Sequence, residues 1–328
     1  MPRPLRLALL VPVVIPVVIA SLATPTSAAA EPSPPGSTER VEVFSPDGTI
    51  QQVEIPKRQV PPAPRAAPAA TVTALQQTGP SSQRFDLVFV GDGYTSAEIA
   101  TFQAHAASKW AEMTAVEPFS TYKNSFNVWM VNVVSSQSGV DNDPTQGVSR
   151  NTALGMGFWC SGIERLLCVN TATAKSYAAL APGVDQVVAL GNSTKYGGAG
   201  YGAGGGVATA SGGNASSGQV VVHELGHSMG NLADEYSTLN TTYNGGEPSA
   251  ANVSKYTAAQ LTSGRRKWYQ YLGQATPDGG VIGAYQGGAD YAYGIYRPSE
   301  NSIMRTLGKK FNLIGLDAMT KAILAKTG

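Results

Sequence analysis

The segment His223-Glu224-Leu225-Gly226-His227 constrains this chain more than any other part of its sequence. Two residues four apart on an α-helix lie on one face about one turn apart, so both imidazoles can bind the same metal ion. The glutamate beside the first histidine can then act on a water molecule bound to that metal. The preceding run Val220–Val222 is apolar and β-branched, which predicts that the histidines begin a buried helix.

The motif is short, and an ordinary amphipathic helix with two histidines would show the same spacing. Gly226 and Gly230 favour a metal site over that alternative. Each glycine destabilises a helix by about 1 kcal/mol relative to alanine, whereas small residues suit a helix that packs closely against a neighbour. Gly230 also offers a position where the helix can end, and the carboxylates Asp234 and Glu235 follow directly. The motif and its surroundings together predict a catalytic zinc site.

A catalytic zinc ion is held by three protein ligands and a water molecule, and no histidine follows His227. A carboxylate must therefore complete the set. A continuous helix would place residue 234 about 10 Å along its axis from His227, so the helix must end near Gly230 and the chain must fold back. Asp234 is the first choice of ligand and Glu235 the second, because spacing alone does not separate them.

Glu224 is the predicted general base of this site. It takes a proton from the zinc-bound water as that water attacks a carbonyl, and it then delivers the proton to the leaving amine. The zinc ion would polarise the carbonyl, and we expect a protein or peptide as the substrate. Several tyrosines are candidates for holding the oxyanion, none of them singled out by the sequence: Tyr236, Tyr285, Tyr291, Tyr293 and Tyr296.

Residues 1–30 have the pattern of a secretory signal peptide. Arg3 and Arg6 precede the apolar stretch Leu7–Leu22, and small residues up to Ala30 offer cleavage sites. The alternative is an uncleaved membrane anchor, but prolines interrupt the apolar stretch and small and proline-rich sequence follows it. We therefore expect a secreted, extracellular protein with no membrane attachment after signal cleavage.

The composition agrees with an exported protein and gives no indication of a nucleic-acid partner. The formal net charge is only +1, with 23 Lys and Arg against 22 Asp and Glu, so the sequence carries no signal for nucleic-acid binding. The two cysteines, Cys160 and Cys168, predict one disulfide in an oxidising compartment.

Residues 31–80 form a short segment ahead of the main domain, which spans 81–328. Val41–Phe44 and Thr49–Ile55 flank the turn Pro46-Asp47-Gly48 and predict a β-hairpin. A Pro/Ala-rich linker, 56–68, follows. A lone hairpin does not fold by itself, so this segment is either a small propeptide or a hairpin that docks on the main domain.

The main domain is predicted to be α+β, with a mixed twisted sheet, an active-site helix and an irregular C-terminal subdomain. Residues 197–213 are glycine-rich and predict a loop or an irregular edge strand beside the active-site helix. After Tyr236 the sequence shows no clear periodicity until the last helix. The predicted strands are 85–90, 126–134 and 184–190, and the predicted helices besides the zinc helix are 96–116 and 313–326.

The residues from His223 to Tyr236 resemble the extended motif of the IgA-peptidase family of secreted bacterial zinc metallopeptidases, family 64 of the metallopeptidases. Other segments are similar in the same order across roughly 85–310: Gly91–Tyr94, Pro118–Phe119, Phe126–Val128, Ser138–Asp141 and Glu164–Cys168.

The resemblance implies a zincin fold related to the metzincins, with Met304 in the turn beneath the metal. It also implies His223 and His227 as zinc ligands and Glu224 as the catalytic base. Where metzincins carry a third histidine, this chain has Ala233, so the third ligand stays open between two carboxylates. The family name does not define the substrate.

The leading interpretation is a secreted zinc endopeptidase. One alternative is an extracellular binding or adhesion protein on a zincin scaffold, but a site without turnover would not need Glu224. Another is a zinc amidase that acts on cell-wall peptides. The glycine-rich segment 197–213 weakly favours protein substrates, because an open edge can bind an extended peptide by strand addition.

Overall fold

Eleven strands and six α-helices make up the part of the chain that the computed structural model describes, residues 38–56, 70–201 and 206–327. The strands are β1 (Thr38–Phe44), β2 (Ile50–Pro56), β3 (Thr71–Gln76), β4 (Phe85–Asp92), β5 (Phe126–Asn132), β6 (Gln186–Gly191), β7 (Gly198–Tyr201), β8 (Val207–Ser211), β9 (Ser237–Thr242), β10 (Tyr285–Gly288) and β11 (Asp290–Arg297). The helices are α1 (Ile99–Thr114), α2 (Phe119–Tyr122), α3 (Thr171–Ala178), α4 (Gly218–Ser228), α5 (Ala258–Gly264) and α6 (Leu313–Thr327). The predicted signal peptide and nearly all of the predicted linker lie outside the described residues.

The central sheet has six strands in the order β3-β5-β4-β6-β8-β7. The four inner strands run parallel, and the two edge strands, β3 and β7, are antiparallel to their neighbours. The predicted mixed sheet in an α+β fold is therefore confirmed. Each of the three strands predicted at 85–90, 126–134 and 184–190 is present within two residues of its expected bounds.

Both faces of this sheet are covered, and side chains alternate between them with the period of a strand. On one face, Phe89 of β4 and Leu190 of β6 join a core that includes α1 and α4. On the other face, Val90 and Ala189 join a core that includes α3. Helix α4 thus lies against the sheet next to β7 and β8, which brings the His223–His227 motif to that edge.

The glycine-rich segment 197–213 contains two strands. β7 is the edge strand that the sequence suggested, but β8 is an inner strand that pairs with both β6 and β7. Small residues predominate in β8 because α4 packs directly on it. Residues 202–205 of this segment lie outside the described residues.

The part of the chain after Tyr236 is more regular than predicted. It contains a three-stranded sheet in the order β10-β11-β9, helix α5, and the expected terminal helix α6. Register shifts interrupt the strand pairing, and Gly287, Gly288 and Gly294 adopt positive φ angles within or beside it. These breaks remove the two-residue alternation by which a strand is normally detected in sequence.

The predicted N-terminal hairpin is present, with β1 and β2 paired antiparallel from Thr38↔Pro56 to Phe44↔Ile50. It is docked on the domain rather than free. Its Val41, Val43 and Ile55 side chains pack with Leu166 and Cys168 in one apolar cluster. The predicted disulfide between Cys160 and Cys168 is also confirmed. Among the described helices, none is long and apolar enough to cross a membrane.

Candidate metal centre

Helix α4 carries the histidine motif and ends where the sequence requires. Val220, Val221 and Val222 are completely buried in the core that α4 shares with the sheet and α1, which holds the helix axis in place. The helix ends at Ser228, and Asn231 adopts a positive φ of 47° that turns the chain back. The Leu232 N–H then donates to the Gly226 carbonyl at 3.1 Å. The predicted end of the helix near Gly230 is therefore confirmed.

Both motif histidines present the same ring nitrogen to the same point. His223 donates from Nδ1 to the Ile303 carbonyl at 3.1 Å, and His227 donates from Nδ1 to the Leu232 carbonyl at 2.7 Å. These bonds orient each ring and leave Nε2 as the free lone pair. The two Nε2 atoms lie only 3.1 Å apart. Two lone pairs at that separation repel each other unless a proton or a cation lies between them.

Asp234 completes a three-residue cluster with the histidines. Its Oδ1 atom lies 3.2 Å from Nε2 of His227 and 3.5 Å from Nε2 of His223. Its Oδ2 atom accepts a hydrogen bond from Gln52 Nε2 at 3.1 Å. The fold-back after α4 thus brings the first-choice carboxylate to the histidines.

Glu235 points away from the histidines into a separate polar network. Its carboxylate accepts hydrogen bonds from the side chains of Asn252, Ser302 and Asn312, at 2.8–3.2 Å. Its backbone N–H donates to the Met304 carbonyl at 2.7 Å. Burial raises the pKa of Glu235 to about 7, although these hydrogen bonds oppose the rise. Glu235 therefore ties the turn after α4 to the segment that passes beneath the helix.

The structure adds Glu42, a residue that the sequence did not identify. Glu42 lies on β1, and its Oε2 atom is 3.2 Å from Nε2 of His223 and 3.8 Å from Nε2 of His227. The Tyr236 hydroxyl donates a hydrogen bond to the other oxygen, Oε1. Glu42, His223, His227 and Asp234 together form a cluster whose ligand atoms all lie within 4.8 Å of one another.

These four residues fit a tetrahedral metal ion. A zinc ion with ligands at 2.0–2.1 Å has ligand-to-ligand distances of about 3.3 Å, and the nitrogen–nitrogen and nitrogen–oxygen distances here range from 3.1 to 3.8 Å. Asp234 Oδ1 is buried and has no hydrogen-bond partner within the described residues. A divalent cation would satisfy that oxygen and separate the two imidazole lone pairs.

The electrostatics of the cluster agree with a cation site. Burial disfavours the charged imidazole of His227, but the Asp234 carboxylate outweighs this and raises the pKa to about 9. Burial also favours a neutral Asp234, yet the nearby histidines hold the pKa of its carboxyl well below its usual range. The cluster thus attracts positive charge, which a metal ion supplies by displacing the histidine protons.

Glu224 lies beside the cluster, and its Oε1 atom has no hydrogen-bond partner within the described residues. Its side chain rests against Gly200 of β7, where only a glycine leaves room for the carboxylate. Burial raises its pKa to about 8, and the negative charge of Glu42 adds to the rise. Both Glu224 and Glu42 line a cavity of about 380 Å³ that also includes His227 and Asp234.

Met304 lies directly beneath α4. It is 1% exposed, and its sulfur would lie 2.5 Å from a Cβ atom added to Gly226. This close approach explains the glycine inside the motif. The neighbouring Ile303 carbonyl accepts the hydrogen bond from His223, so the same turn also orients a ring of the cluster.

Of the candidate tyrosines, Tyr236 lies at the cluster. Tyr285 donates its hydroxyl to the Val281 carbonyl instead, and no hydrogen bond joins Tyr291, Tyr293 or Tyr296 to the cluster within the described residues. The third histidine, His105, pairs with Tyr94 at 2.9 Å away from the cluster.

An α+β domain with two histidines, a nearby aspartate and an adjacent buried glutamate has the composition of a metallopeptidase. The chain matches the family described as IgA Peptidase M64 over residues 73–278 and 272–323, and it belongs to that peptidase family. The resemblance noted in the sequence is thus confirmed. A search of curated proteins found no match. The matched residues contain His223, Glu224, His227 and Asp234 but not the hairpin that carries Glu42.

Proposed function

We propose that the protein is a secreted zinc endopeptidase that hydrolyses peptide bonds of extracellular proteins. The observation that carries this proposal is the convergence of His223, His227 and Asp234 at tetrahedral spacings, with Glu224 on the same helix. Membership of a peptidase family supports a protein substrate. The disulfide and the signal-peptide pattern of residues 1–30 support an extracellular location.

In this proposal His223, His227 and Asp234 hold the metal, and the fold is related to the zincins. Met304 and Ile303 support this relation, because their turn passes beneath α4 and orients His223. A donor set of two imidazoles and a carboxylate suits zinc, which binds nitrogen and oxygen ligands in a tetrahedron. Glu235 is assigned a positioning role in place of ligation, because its carboxylate is fully engaged by Asn252, Ser302 and Asn312.

When bound, zinc would polarise the substrate carbonyl and lower the pKa of a water molecule. Glu224 would accept the proton of the attacking water and then donate it to the leaving amine. A pKa raised by burial suits both steps, because the carboxylate must accept and release the same proton. The Tyr236 hydroxyl lies at the cluster and is the proposed donor to the oxyanion.

The proposed substrate site runs along β7. β7 is an edge strand beside α4, and Gly200 on it touches the Glu224 side chain. An extended peptide alongside such an edge would carry its scissile carbonyl past the base and the cluster. This arrangement favours a polypeptide substrate over a compact cell-wall fragment.

Hydrolysis of fluorescently labelled casein by residues 31–328 tests the proposal, using the unchanged chain, Glu42→Ala and Glu224→Gln. We expect hydrolysis that a chelator abolishes and added zinc restores. The Glu224→Gln variant should still bind one zinc ion but lose at least a hundredfold in rate, because it cannot accept the proton.

Zinc-loaded protein that cleaves no protein substrate, even with Glu42 replaced, would contradict the endopeptidase proposal. Cleavage of cell-wall peptides under those conditions would favour the amidase alternative. Binding of an extracellular protein without any cleavage would favour the binding or adhesion alternative.

A further inference from the structure

We propose that the β1–β2 hairpin keeps the active site latent, with Glu42 as a fourth metal ligand in place of the catalytic water. This inference rests on the proposed zinc-peptidase function, because it describes the regulation of that same site. Displacement of β1 would then open the metal and the substrate cleft together.

Glu42 occupies the one position that catalysis requires to be open. A catalytic zinc ion keeps three protein ligands and leaves the fourth position to water or substrate. His223, His227 and Asp234 already supply three ligand atoms. Glu42 Oε2 lies 3.2 Å from His223 Nε2 and 3.8 Å from His227 Nε2, close enough to act as a fourth ligand to an ion held by the other three residues. Four protein ligands of this kind form a closed site.

Alternation along β1 aims Glu42 at the metal position. Val41 and Val43 face the disulfide-bearing loop, where they pack with Leu166 and Cys168. The residues between and after them face the other way, and the Phe44 ring lies 5.8 Å from the His223 ring, edge to face. A shift of one residue in register would turn all of these side chains to the opposite side. The packing of Val41 and Val43 on one side and the contact of Phe44 with His223 on the other therefore hold Glu42 in its orientation.

The hairpin is attached to both walls of the cleft. On one side, Arg165 donates to the Phe44 carbonyl at 3.1 Å. On the other side, Gln52 donates to Asp234, and the Leu307 N–H donates to the Gly48 carbonyl at 2.9 Å. The hairpin thus spans the space between the β7 edge and the turn that contains Met304.

β1 also occupies the place proposed for substrate. It lies alongside β7, but its ladder hydrogen bonds go to β2. An extended peptide along β7 and the docked hairpin would therefore exclude each other. Two independent effects, a filled metal position and a filled cleft, would suppress activity in this conformation.

The hairpin also lies outside the part of the sequence that matches the peptidase family. The match to the peptidase family begins at residue 73, whereas β2 ends at Pro56. The residues that hold and use the metal in our proposal all lie within the matched part, and Glu42 lies outside it.

The test compares residues 31–328 with Glu42→Ala, Glu42→Gln and the control Glu54→Gln. Glu54 is an exposed glutamate on β2 of the same hairpin. Each protein is loaded with one equivalent of Co²⁺, whose visible absorption reports its ligands, and is titrated with acetohydroxamate, a small metal-binding probe. Zinc affinity, peptide hydrolysis and the midpoint of thermal unfolding are measured on the same four proteins.

We expect the unchanged chain and Glu54→Gln to bind acetohydroxamate at least a hundredfold more weakly than Glu42→Ala. The cobalt spectrum should change only in the two Glu42 variants. Zinc affinity should fall about tenfold in Glu42→Ala, while hydrolysis of a short peptide rises at least tenfold. Glu42→Gln conserves the side-chain volume and the acceptor for Tyr236, so it keeps the comparison valid if Glu42→Ala unfolds.

Equal acetohydroxamate affinity in all four proteins would overturn the latent-site proposal. So would loss of both metal and activity in Glu42→Ala from a chain that is active unchanged, because Glu42 would then be an obligatory ligand. Cleavage at equal rates by all four forms would preserve the peptidase proposal alone. Selective probe binding without cleavage by any form would preserve the latent site and refute the peptidase.

Discussion

The helix α4 with its following turn and the β1–β2 hairpin both bring charge to the same point, but they do so in different ways. The first region supplies His223, Glu224, His227 and Asp234 from one short stretch of chain, and hydrogen bonds to backbone carbonyls orient its two histidines. The second supplies a single carboxylate from 181 residues before His223. In our proposals, the local stretch binds the metal and performs catalysis, and the distant hairpin controls access to the site.

The two regions also differ in what stabilises them. The turn after α4 is held by the buried polar network of Glu235 with Asn252, Ser302 and Asn312. The hairpin is held mainly by apolar side chains, each less than 5% exposed: Val41, Val43, Phe44, Ile50 and Ile55. Burial of each such side chain stabilises the docked hairpin by about 1.5–3 kcal/mol. The hairpin therefore stays docked until a competing strand or proteolytic cleavage displaces it.

The largest expected effect is on zinc affinity, and it distinguishes a ligand on α4 from the ligand on the hairpin. His227→Ala should weaken zinc binding at least a hundredfold, because four ligands share about 10–16 kcal/mol in tetrahedral zinc sites. The effect should exceed that of Glu42→Ala by about tenfold. Competition with a chromophoric chelator measures both affinities, and His105→Ala is the matched control because His105 lies outside the cluster. Equal losses of zinc affinity in His227→Ala and Glu42→Ala would show that the hairpin contributes as much to metal binding as α4 does.

The next effect distinguishes the proposed metal ligand Asp234 from Glu235, whose proposed role is to hold the turn in position. Glu235→Ala leaves three buried side-chain donors without their acceptor, so the free energy of unfolding should fall by about 2–3 kcal/mol. Asp234→Asn should instead weaken zinc binding most strongly, and it also removes the negative charge that stabilises the protonated histidines of the metal-free protein. Urea unfolding and zinc titration of both variants distinguish the two outcomes. If Glu235→Ala loses zinc affinity more than Asp234→Asn, our assignment of the third ligand is wrong.

A smaller effect concerns the support of the hairpin. Replacing both Cys160 and Cys168 by serine removes a short cross-linked loop and should lower the free energy of unfolding by about 2–3 kcal/mol. Because Val41 and Val43 pack on this loop, amide hydrogen exchange should rise in β1 before it rises in α4. A uniform rise in both elements would show that the hairpin does not depend on this loop separately.

The smallest effect probes the contact between β7 and the proposed base. A Cβ atom on Gly200 would overlap the Glu224 carboxylate, so Gly200→Ala should displace that side chain. We expect kcat to fall about tenfold in a Glu42→Ala background, with zinc affinity unchanged. Gly246→Ala is a suitable control, because an added Cβ there meets no atom within 4 Å. A loss of zinc affinity in Gly200→Ala would place its effect on the metal cluster instead.

Several features could be predicted because they depend on neighbours in sequence. The i, i+4 spacing of His223 and His227, the end of the helix near Gly230 and the close packing at Gly226 all follow from helix geometry and glycine sterics. The Cys160–Cys168 pairing follows from the presence of only two cysteines. The three predicted strands of the central sheet follow from their continuous apolar runs.

The inner position of β8 and the sheet after Tyr236 could not be predicted in the same way. Small side chains in β8 and positive-φ glycines near β10 and β11 reflect contacts with other elements, and they weaken the local pattern. The division between residues 31–80 and 81–328 stays a prediction, and so does the signal peptide.

The sequence by itself determined which helix carries the site and which residues of it face one point, because helix periodicity is a local property. Only the tertiary structure showed that Asp234 lies beside the histidines and that Glu235 does not, since adjacent residues have the same spacing from the motif but different directions. It alone also decided the place of Glu42. In the pattern Val41-Glu42-Val43-Phe44 nothing local marks the glutamate as buried, and Glu42 is buried because both faces of this part of β1 are covered.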